Sequence, residues 1–600
     1  MSDNNKSKLI GGSFLVKETP YTEIFSQEDF TEEQKMMRDS VKDFIDRQVW
    51  PVKPQIEQKD YKLIENLMKE LGEMGMLSIS VPEKYEGMGM GFVETMLVCD
   101  YVSGATGSLA TAFGAHTGIG TMPITLYGTE EQKAKYLPKL ASGEWFGSYC
   151  LTEPEAGSDA NSGKTTAKLS EDGKHYILNG QKMWITNAGF AEVFIVFARI
   201  EDDKNITAFI IEKSKVGDGF KLGEEEPKLG IVSSSTRQVF LSDVKVPVEN
   251  LLGERNGGFK IAMNALNIGR IKLAAACLDA QRRILSNSIV YANERKQFNT
   301  PISNFGAIKK KIAERAVAAF ASEAGSYRAA KDIQDKIAEL EAAGMNHQES
   351  ELKGVEEYAV ECSILKVFAS EATQNCSDEG IQIFGGMGYS KDVPMEAAWR
   401  DARISRIYEG TNEINRLLSV DLLIKRAFKG KIDLMTPAMG IQDELMSIPD
   451  FNIPDYSETL SQEKEIIAKL KKVFFMVAGA ALQKFGTELE GQQQLILSAA
   501  EILIQIYMAE STVLRAEKLS KENHDQAEVA VKMATLQVFD SVEIIKSMAT
   551  EGIISFAEGD DQRMMLSGLK RFTRYNEYPN IVNLKREVAD YFIEKNAYTF

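Results

Sequence analysis

Between about residues 146 and 253 the chain changes texture, and that change limits what the whole can fold into. Short β-rich runs at 175–178, 193–197, 208–211 and 239–241 are separated by turn signals at Asn179-Gly180, Asp202-Asp203 and Gly217-Asp218-Gly219. On either side the hydrophobic period is helical, from about Thr31 to Leu140 and again beyond Phe259. The pattern predicts a compact β domain inserted between helical regions. One motif imitates a different fold: Gly87-Met88-Gly89-Met90-Gly91 follows the strand-like run 77–81. Its glycine spacing is wrong for a dinucleotide fingerprint, so it reads as a flexible loop.

The 600 residues exceed one ordinary core, so several domains are expected. The texture divides the chain into an extension (1–30), a helical domain (31–147), the β domain (148–253) and a helical bundle domain (254–429). A proline-punctuated linker with Pro437, Pro449 and Pro454 (430–460) leads to a further helical domain (461–600). The charged block 331–357 reads as a solvated helix face with a turn at Gly344. Acidic residues outnumber basic ones, 87 to 70, which disfavours a nucleic-acid partner. The five cysteines, Cys99, Cys150, Cys277, Cys362 and Cys376, are scattered, which suits a reducing compartment and a cytoplasmic location. The four histidines are far apart, so no local metal motif is expected. The polar start and the late first arginine, Arg38, argue against a targeting peptide. The apolar stretches 474–482 and 495–509 read as too short or too polar to span a bilayer.

The chemistry concentrates near Arg406-Ile407-Tyr408-Glu409-Gly410-Thr411-Asn412, which places one carboxylate at a loop-to-helix junction. A helix N-terminus favours the charged form of Glu409, whereas burial beside Tyr408 raises its pKa. A general base near neutral pH needs the second effect. Upstream, the run 149–159, rich in hydroxyls and small residues, has the ingredients of a ligand-contacting loop.

Four segments in order, YCLTEPEAGSD (149–159), NGQKMWITN (179–187), ERKQF (294–298) and QIFGGMGYS through RIYEGT (382–411), resemble the acyl-CoA dehydrogenases. The resemblance implies an α+β, mainly α fold: an N-terminal helical domain, a middle β-barrel-like domain and a C-terminal four-helix bundle. It implies FAD as cofactor, with Glu409 removing the pro-R α-proton of a fatty acyl-CoA while the β-hydrogen leaves as hydride. Tyr149, Leu151, Thr152 and Ser158 would line the flavin and thioester, with Trp184 and Thr186 against the isoalloxazine. Arg295, Gln297, Phe298, Gln382, Gly385 and Gly386 would contact the diphosphate and adenosine, some from a neighbouring subunit of a homodimer or homotetramer. Thr411 and Glu413 would extend the cofactor contact, and Arg270, Tyr408 and Gly410 would adjoin the substrate. The backbone N–H of Glu409 would bind the thioester oxygen.

The extra C-terminal region resembles the very-long-chain branch, as does Asn304-Phe305-Gly306, where Gly306 stands in place of a flavin-contacting glutamine. Small residues at Thr111, Gly114 and Ala115 would leave a deep acyl tunnel, and each buried CH2 favours binding by about 0.8 kcal/mol. His116 reads as structural. Lys469, Lys471 and Lys472 before Val473-Phe474-Phe475-Met476-Val477 are open to two readings, a basic membrane-surface helix or a helix packed on the protein. The expected electron acceptor is electron-transfer flavoprotein. An acyl-CoA oxidase using O2 and a dehydrogenase-derived scaffold protein are the alternatives.

Overall fold

The computed structural model describes residues 9–447 and 454–600, so the first eight residues of the extension and Pro449 of the linker lie outside them. Helices, a sheet and again helices follow one another, the α+β, mainly α order expected. The N-terminal block holds α1 (Glu32–Phe44), α2 (Tyr61–Glu73), α3 (Phe92–Val102), α4 (Gly107–Gly114) and α5 (Glu130–Ser142). Thr31 with Gln34 and Thr129 with Gln132 form capping boxes that open α1 and α5. α3 is buried on all sides and is the centre of this block. The strand-like run 77–81 forms turns instead of a strand. Its Ser78 and Val81 carbonyls accept from the N–H groups of Met88 and Gly89, so the glycine loop folds back over it.

The middle domain contains β1 (Gly147–Cys150), β2 (Thr166–Leu169), β3 (His175–Thr186), β4 (Val193–Ile200), β5 (Thr207–Glu212), β6 (Phe220–Glu225), β7 (Thr236–Pro247) and β8 (Leu251–Leu252). The strand path is β6-β7-β3-β2-β4-β5-β8, with β1 parallel to β4. β5 is buried throughout and β4 almost so, whereas β3 and β7 keep exposed positions. The sheet is therefore covered on its β4–β5 side and open toward β3, where ligand contacts were expected.

The bundle domain consists of α6 (Gly258–Ala276), α7 (Leu278–Glu294), α8 (Gly306–Ala342), α9 (His347–Glu357), α10 (Ala359–Phe384), α11 (Met395–Ile404) and α12 (Asn412–Phe428). α10 is its axle, packing on α6, α7, α8 and α12. The charged block forms the end of α8, a turn with Gly344 at φ +92° and α9. The expected linker carries a helix, α13 (Met435–Met446), with Ile441 buried. Pro437 sits in its first turn, where a missing N–H costs nothing, so this proline does not break the helix.

The C-terminal region adds α14 (Ser461–Phe485), α15 (Gln493–Lys521), α16 (Ala527–Phe556), α17 (Gly559–Phe572) and α18 (Ile581–Lys595). The run 473–477 is buried, and Lys469, Lys471 and Lys472 pair with Glu465, Glu510 and Glu444. That is the packed helix, and the structure lends the membrane-surface reading no support. The reading of 495–509 as too short to span a bilayer is corrected too. α15 is 29 residues long and apolar enough, as is the stretch Gly258–Glu294, but both are mostly buried as core helices. The described part of the extension is docked, not free: Phe14 meets Tyr507 edge-on at 4.9 Å, and Arg515 of α15 pairs with Glu28 at 2.6 Å.

Candidate active site

Glu409 lies in the turn between α11 and α12 with φ +56°, followed by Gly410 at φ +81°. A left-handed backbone is strained for a residue with a side chain, so neighbouring bonds must hold it. Thr411 caps α12 by accepting from the Ile414 N–H at 3.2 Å. Asn415 Nδ2 donates to the carbonyls of Glu409, Gly410 and Thr411 at 3.3, 2.8 and 3.1 Å. Lys366 Nζ, from α10, donates to the Gly410 carbonyl at 2.8 Å and to Asn412 Oδ1 at 2.7 Å.

The carboxylate rests on Gly269 of α6, where an added Cβ would stand 2.4 Å from Oε2. Oε2 is buried and has no hydrogen-bond partner. Arg270 is also buried; its Nη1 donates to Asn267 Oδ1 at 2.6 Å and its Nε is unpartnered. Burial lifts the Glu409 pKa to about 7, against the attraction of Arg270, Lys366 and Lys272. The site thus holds a carboxylate that can be ionised near neutrality and is not neutralised by a direct bond at Oε2. Burial also lowers Lys366, to about 8.

A corner of the sheet faces this group. The charge of Glu409 acts on Tyr149, whose buried hydroxyl has no partner and whose pKa is pushed up mainly by burial. Ser148 Oγ donates to the Thr186 carbonyl at 2.8 Å, and the Met183 N–H to the Thr152 carbonyl at 3.0 Å, joining β1 and its following loop to the end of β3. Between Lys182 and Ile185 the β3–β7 register shifts, and Trp184 takes φ +61°. This bulge turns the indole outward, leaving it 52% exposed. Tyr149, Leu151, Thr152, Trp184 and Thr186 therefore share one corner, with Ser158 on the exposed loop beyond it. Glu153 fixes that loop. Buried, it pairs with Lys182 at 2.5 Å and accepts from the Lys164 N–H at 2.6 Å.

The remaining candidates form a second patch. After α7, β9 (Lys296–Gln297) and β10 (Thr300–Pro301) make a hairpin whose tip, Phe298 and Asn299, has φ of +53° and +64°. Two positive φ values give the tight primed turn. They also hold Phe298 at 89% exposure. Tyr291 stacks on Phe384 at 4.1 Å and brings this hairpin beside Gln382, Gly385 and Gly386, all exposed. Nothing lies within 4 Å of a Cβ built on Gly385 or Gly386. About 24 Å of helix at the usual rise separates Lys366 from Gln382. Within one chain the two patches are distinct. The first offers an open aromatic face beside a base, and the second offers exposed Arg295 beside bare backbone. Together they fit a planar ring carrying a phosphate-bearing tail. Thr411 and exposed Glu413 adjoin the first patch.

Tyr408 and Thr111 line a cleft of about 770 Å³, counting its open mouth. Leu273, Ala276, Ala280 and Ile284 recur along one face of α6 and α7 as its wall. Gly114 and Ala115 are not among its lining residues, contrary to expectation, although Gly114 keeps open space where a Cβ would stand. His116 is buried, bonded through Nε2 to the Leu140 carbonyl at 3.0 Å and accepting from the Gly147 N–H at 3.1 Å. No group of three or more metal-ligating side chains occurs among the described residues.

Comparison with known proteins gives one consistent result. Family models described as acyl-CoA dehydrogenase N-terminal, middle and C-terminal domains match residues 31–144, 148–244 and 256–423. A second acyl-CoA dehydrogenase C-terminal domain model matches 469–571. A probable acyl-CoA dehydrogenase of Bacillus subtilis is 42% identical over 98% of both chains. The very long-chain specific mitochondrial acyl-CoA dehydrogenase of Homo sapiens is 34% identical over 77% of this chain and 72% of its own. A solved acyl-CoA dehydrogenase from Bacillus anthracis, complexed with FAD, superposes with a TM-score of 0.94 at 41% identity, covering 98% of this chain and all of that one. The chain belongs to the acyl-CoA dehydrogenase family.

Proposed function

We propose that this protein is an FAD-dependent dehydrogenase of long-chain fatty acyl-CoA, forming trans-2-enoyl-CoA and passing electrons to electron-transfer flavoprotein. The observation that carries the reading is Glu409: half-buried, with Oε2 out of water and unpartnered, poised at a pKa of about 7 and adjoining the cleft through Tyr408. Glu409 Oε2 takes the α-proton of the thioester, and its own N–H holds the thioester oxygen as charge develops there. Arg270 and Lys366 temper the change of charge as the base takes up its proton. Tyr149, Leu151, Thr152, Ser158, Trp184 and Thr186 would seat the flavin ring of FAD, with Thr411 and Glu413 beside it. Arg295, Gln297, Phe298, Gln382, Gly385 and Gly386 of a second copy would hold its diphosphate and adenosine. The chemistry that FAD supplies when bound is acceptance of the β-hydrogen as hydride.

Chain length is read from the cleft wall. From Leu273 to Ile284 the lining of the cleft on α6 and α7 runs about 16 Å at the helical rise. That accommodates an extended long acyl group, and the alanines leave its path open. The test is anaerobic titration of flavin-loaded protein with short-, medium- and long-chain acyl-CoAs. Long-chain thioesters should bleach the flavin most readily. No bleaching by any acyl-CoA would sink the dehydrogenase reading, whereas bleaching by short chains alone would sink only the chain-length assignment.

A further inference from the structure

Glu501 belongs to α15 of the C-terminal region, yet it closes a run of bonds that ends at the Glu409 turn. Its Oε2 accepts from Arg416 Nε and Nη2 at 3.1 and 2.8 Å. The same guanidinium grips Glu371 of α10 through Nη1 at 2.7 Å and Nη2 at 2.9 Å. Glu371 Oε1 also accepts from Asn412 Nδ2 at 3.0 Å. Asn412 Oδ1 in turn accepts from Lys366 Nζ, which also holds the Gly410 carbonyl. We propose that Glu501 is a positioning residue, through which the C-terminal helices fix the turn that presents the base.

Three features support this. Glu409 is held in a left-handed backbone that is strained for its side chain, so its position depends on outside bonds. Arg416 is held by two carboxylates at once, two bonds to Glu371 and two to Glu501; with Glu501 gone, only the Glu371 pair and no link to α15 remains. Finally, α12, which begins at Asn412, packs on both α10 and α15, so the bonds and the packing act on the same helix end. The C-terminal region is thereby coupled to the base by more than shared hydrophobic surface.

The inference rests on Glu409 being the base, and the test separates the two. Wild-type flavin-loaded protein is first reduced by long-chain acyl-CoA; failure there removes the parent reading. Amide hydrogen exchange at residues 410–412 reports the coupling without any turnover. In full-length Glu501→Ala, flavin reduction should fall about tenfold. KM should stay within about twofold. The acid limb of kcat/KM should move to lower pH, because a loosened turn gives Glu409 more water. Amides 410–412 should exchange faster. Glu501→Gln keeps an acceptor and should fall between. Arg416→Lys keeps the charge, loses the fork and should reproduce Glu501→Ala, so it decides the matter if Glu501→Ala does not fold. Glu528→Ala, on an exposed ion pair of α16, should behave as wild type. Unchanged rate, pH profile and exchange in Glu501→Ala and Arg416→Lys, or a change confined to KM, would overturn the proposal.

Discussion

At the scale of single residues the site depends on one carboxylate kept out of water and unpaired. That has consequences for stability as well as for rate. The folded pKa of Glu409 stands at about 7, above its ordinary 4.5. Between those values the folded protein binds more protons than the unfolded chain. The stability this group contributes is therefore complete below pH 4.5 and lost as pH rises through about 7. Glu409→Gln should abolish flavin reduction while retaining yellow flavin. Its melting temperature should exceed wild type at pH 8, the gain shrinking toward pH 4.5. Equal melting curves at pH 8 would show that the carboxylate is not held against water. In the wild type, kcat/KM should rise with pH through about 7, since the base works only when ionised. Gly269 is the complementary constraint. With a methyl group 2.4 Å from Oε2, Gly269→Ala must displace the base, and flavin reduction should drop roughly a hundredfold with cofactor content unchanged. Stopped-flow reduction beside flavin absorbance would show whether the two separate.

At the scale of elements, the loop after β1 is organised by a buried ion pair. Lys182 and Glu153 are nearly inaccessible, so removing one partner strands a charge. Lys182→Met should cost about 3 kcal/mol or more. Lys182→Met with Glu153→Leu should recover only part of that loss, because the Lys164 and Thr165 N–H groups lose their acceptor, and should still bind flavin more weakly, because the loop loses its anchor. Thermal unfolding and flavin release, measured on both, distinguish fold from site. This pair also shows how far the sequence could be read. The helix, sheet, helix order follows from periodicity, and Trp184, Glu409 and the hydroxyl-rich loop are visible as local motifs. Glu153 stands inside a recognised motif, but its partner lies 29 residues away on β3. Lys366 is a lone lysine in an apolar helix run, and nothing local says that it reaches the Gly410 carbonyl. Gly269 sits in a helix interior, where a glycine usually signals only weak propensity. These contacts are made by packing between elements, which one-dimensional spacing does not encode. α13 escaped for a different reason: a proline reads as a breaker unless its place in the first turn is known.

At the scale of the molecule, the two ligand patches lie at opposite ends of α10, one beside Lys366 and one at Gln382. Phe298 is 89% exposed on a hairpin tip held in a left-handed backbone, and a surface docked on the second patch would take it out of water. A second copy of the chain would do so, and each cofactor would then take its base-side contacts from one copy and its tail contacts from the other. This sharing makes a specific prediction. Arg295→Ala should weaken cofactor binding, and Glu409→Gln should be inactive with cofactor bound. Coexpressed in one cell, the two variants would form mixed dimers in which one site combines Glu409 and Arg295, both intact, and the other lacks both. One of the two sites in every mixed dimer is then intact, so purified mixed dimers should show about half of wild-type turnover. If each site were built within a single chain, the mixture would give no more than the sum of the separate variants. Turnover of the purified mixture, tagged on both chains so that only mixed dimers are retained, decides between a shared site and a self-contained one.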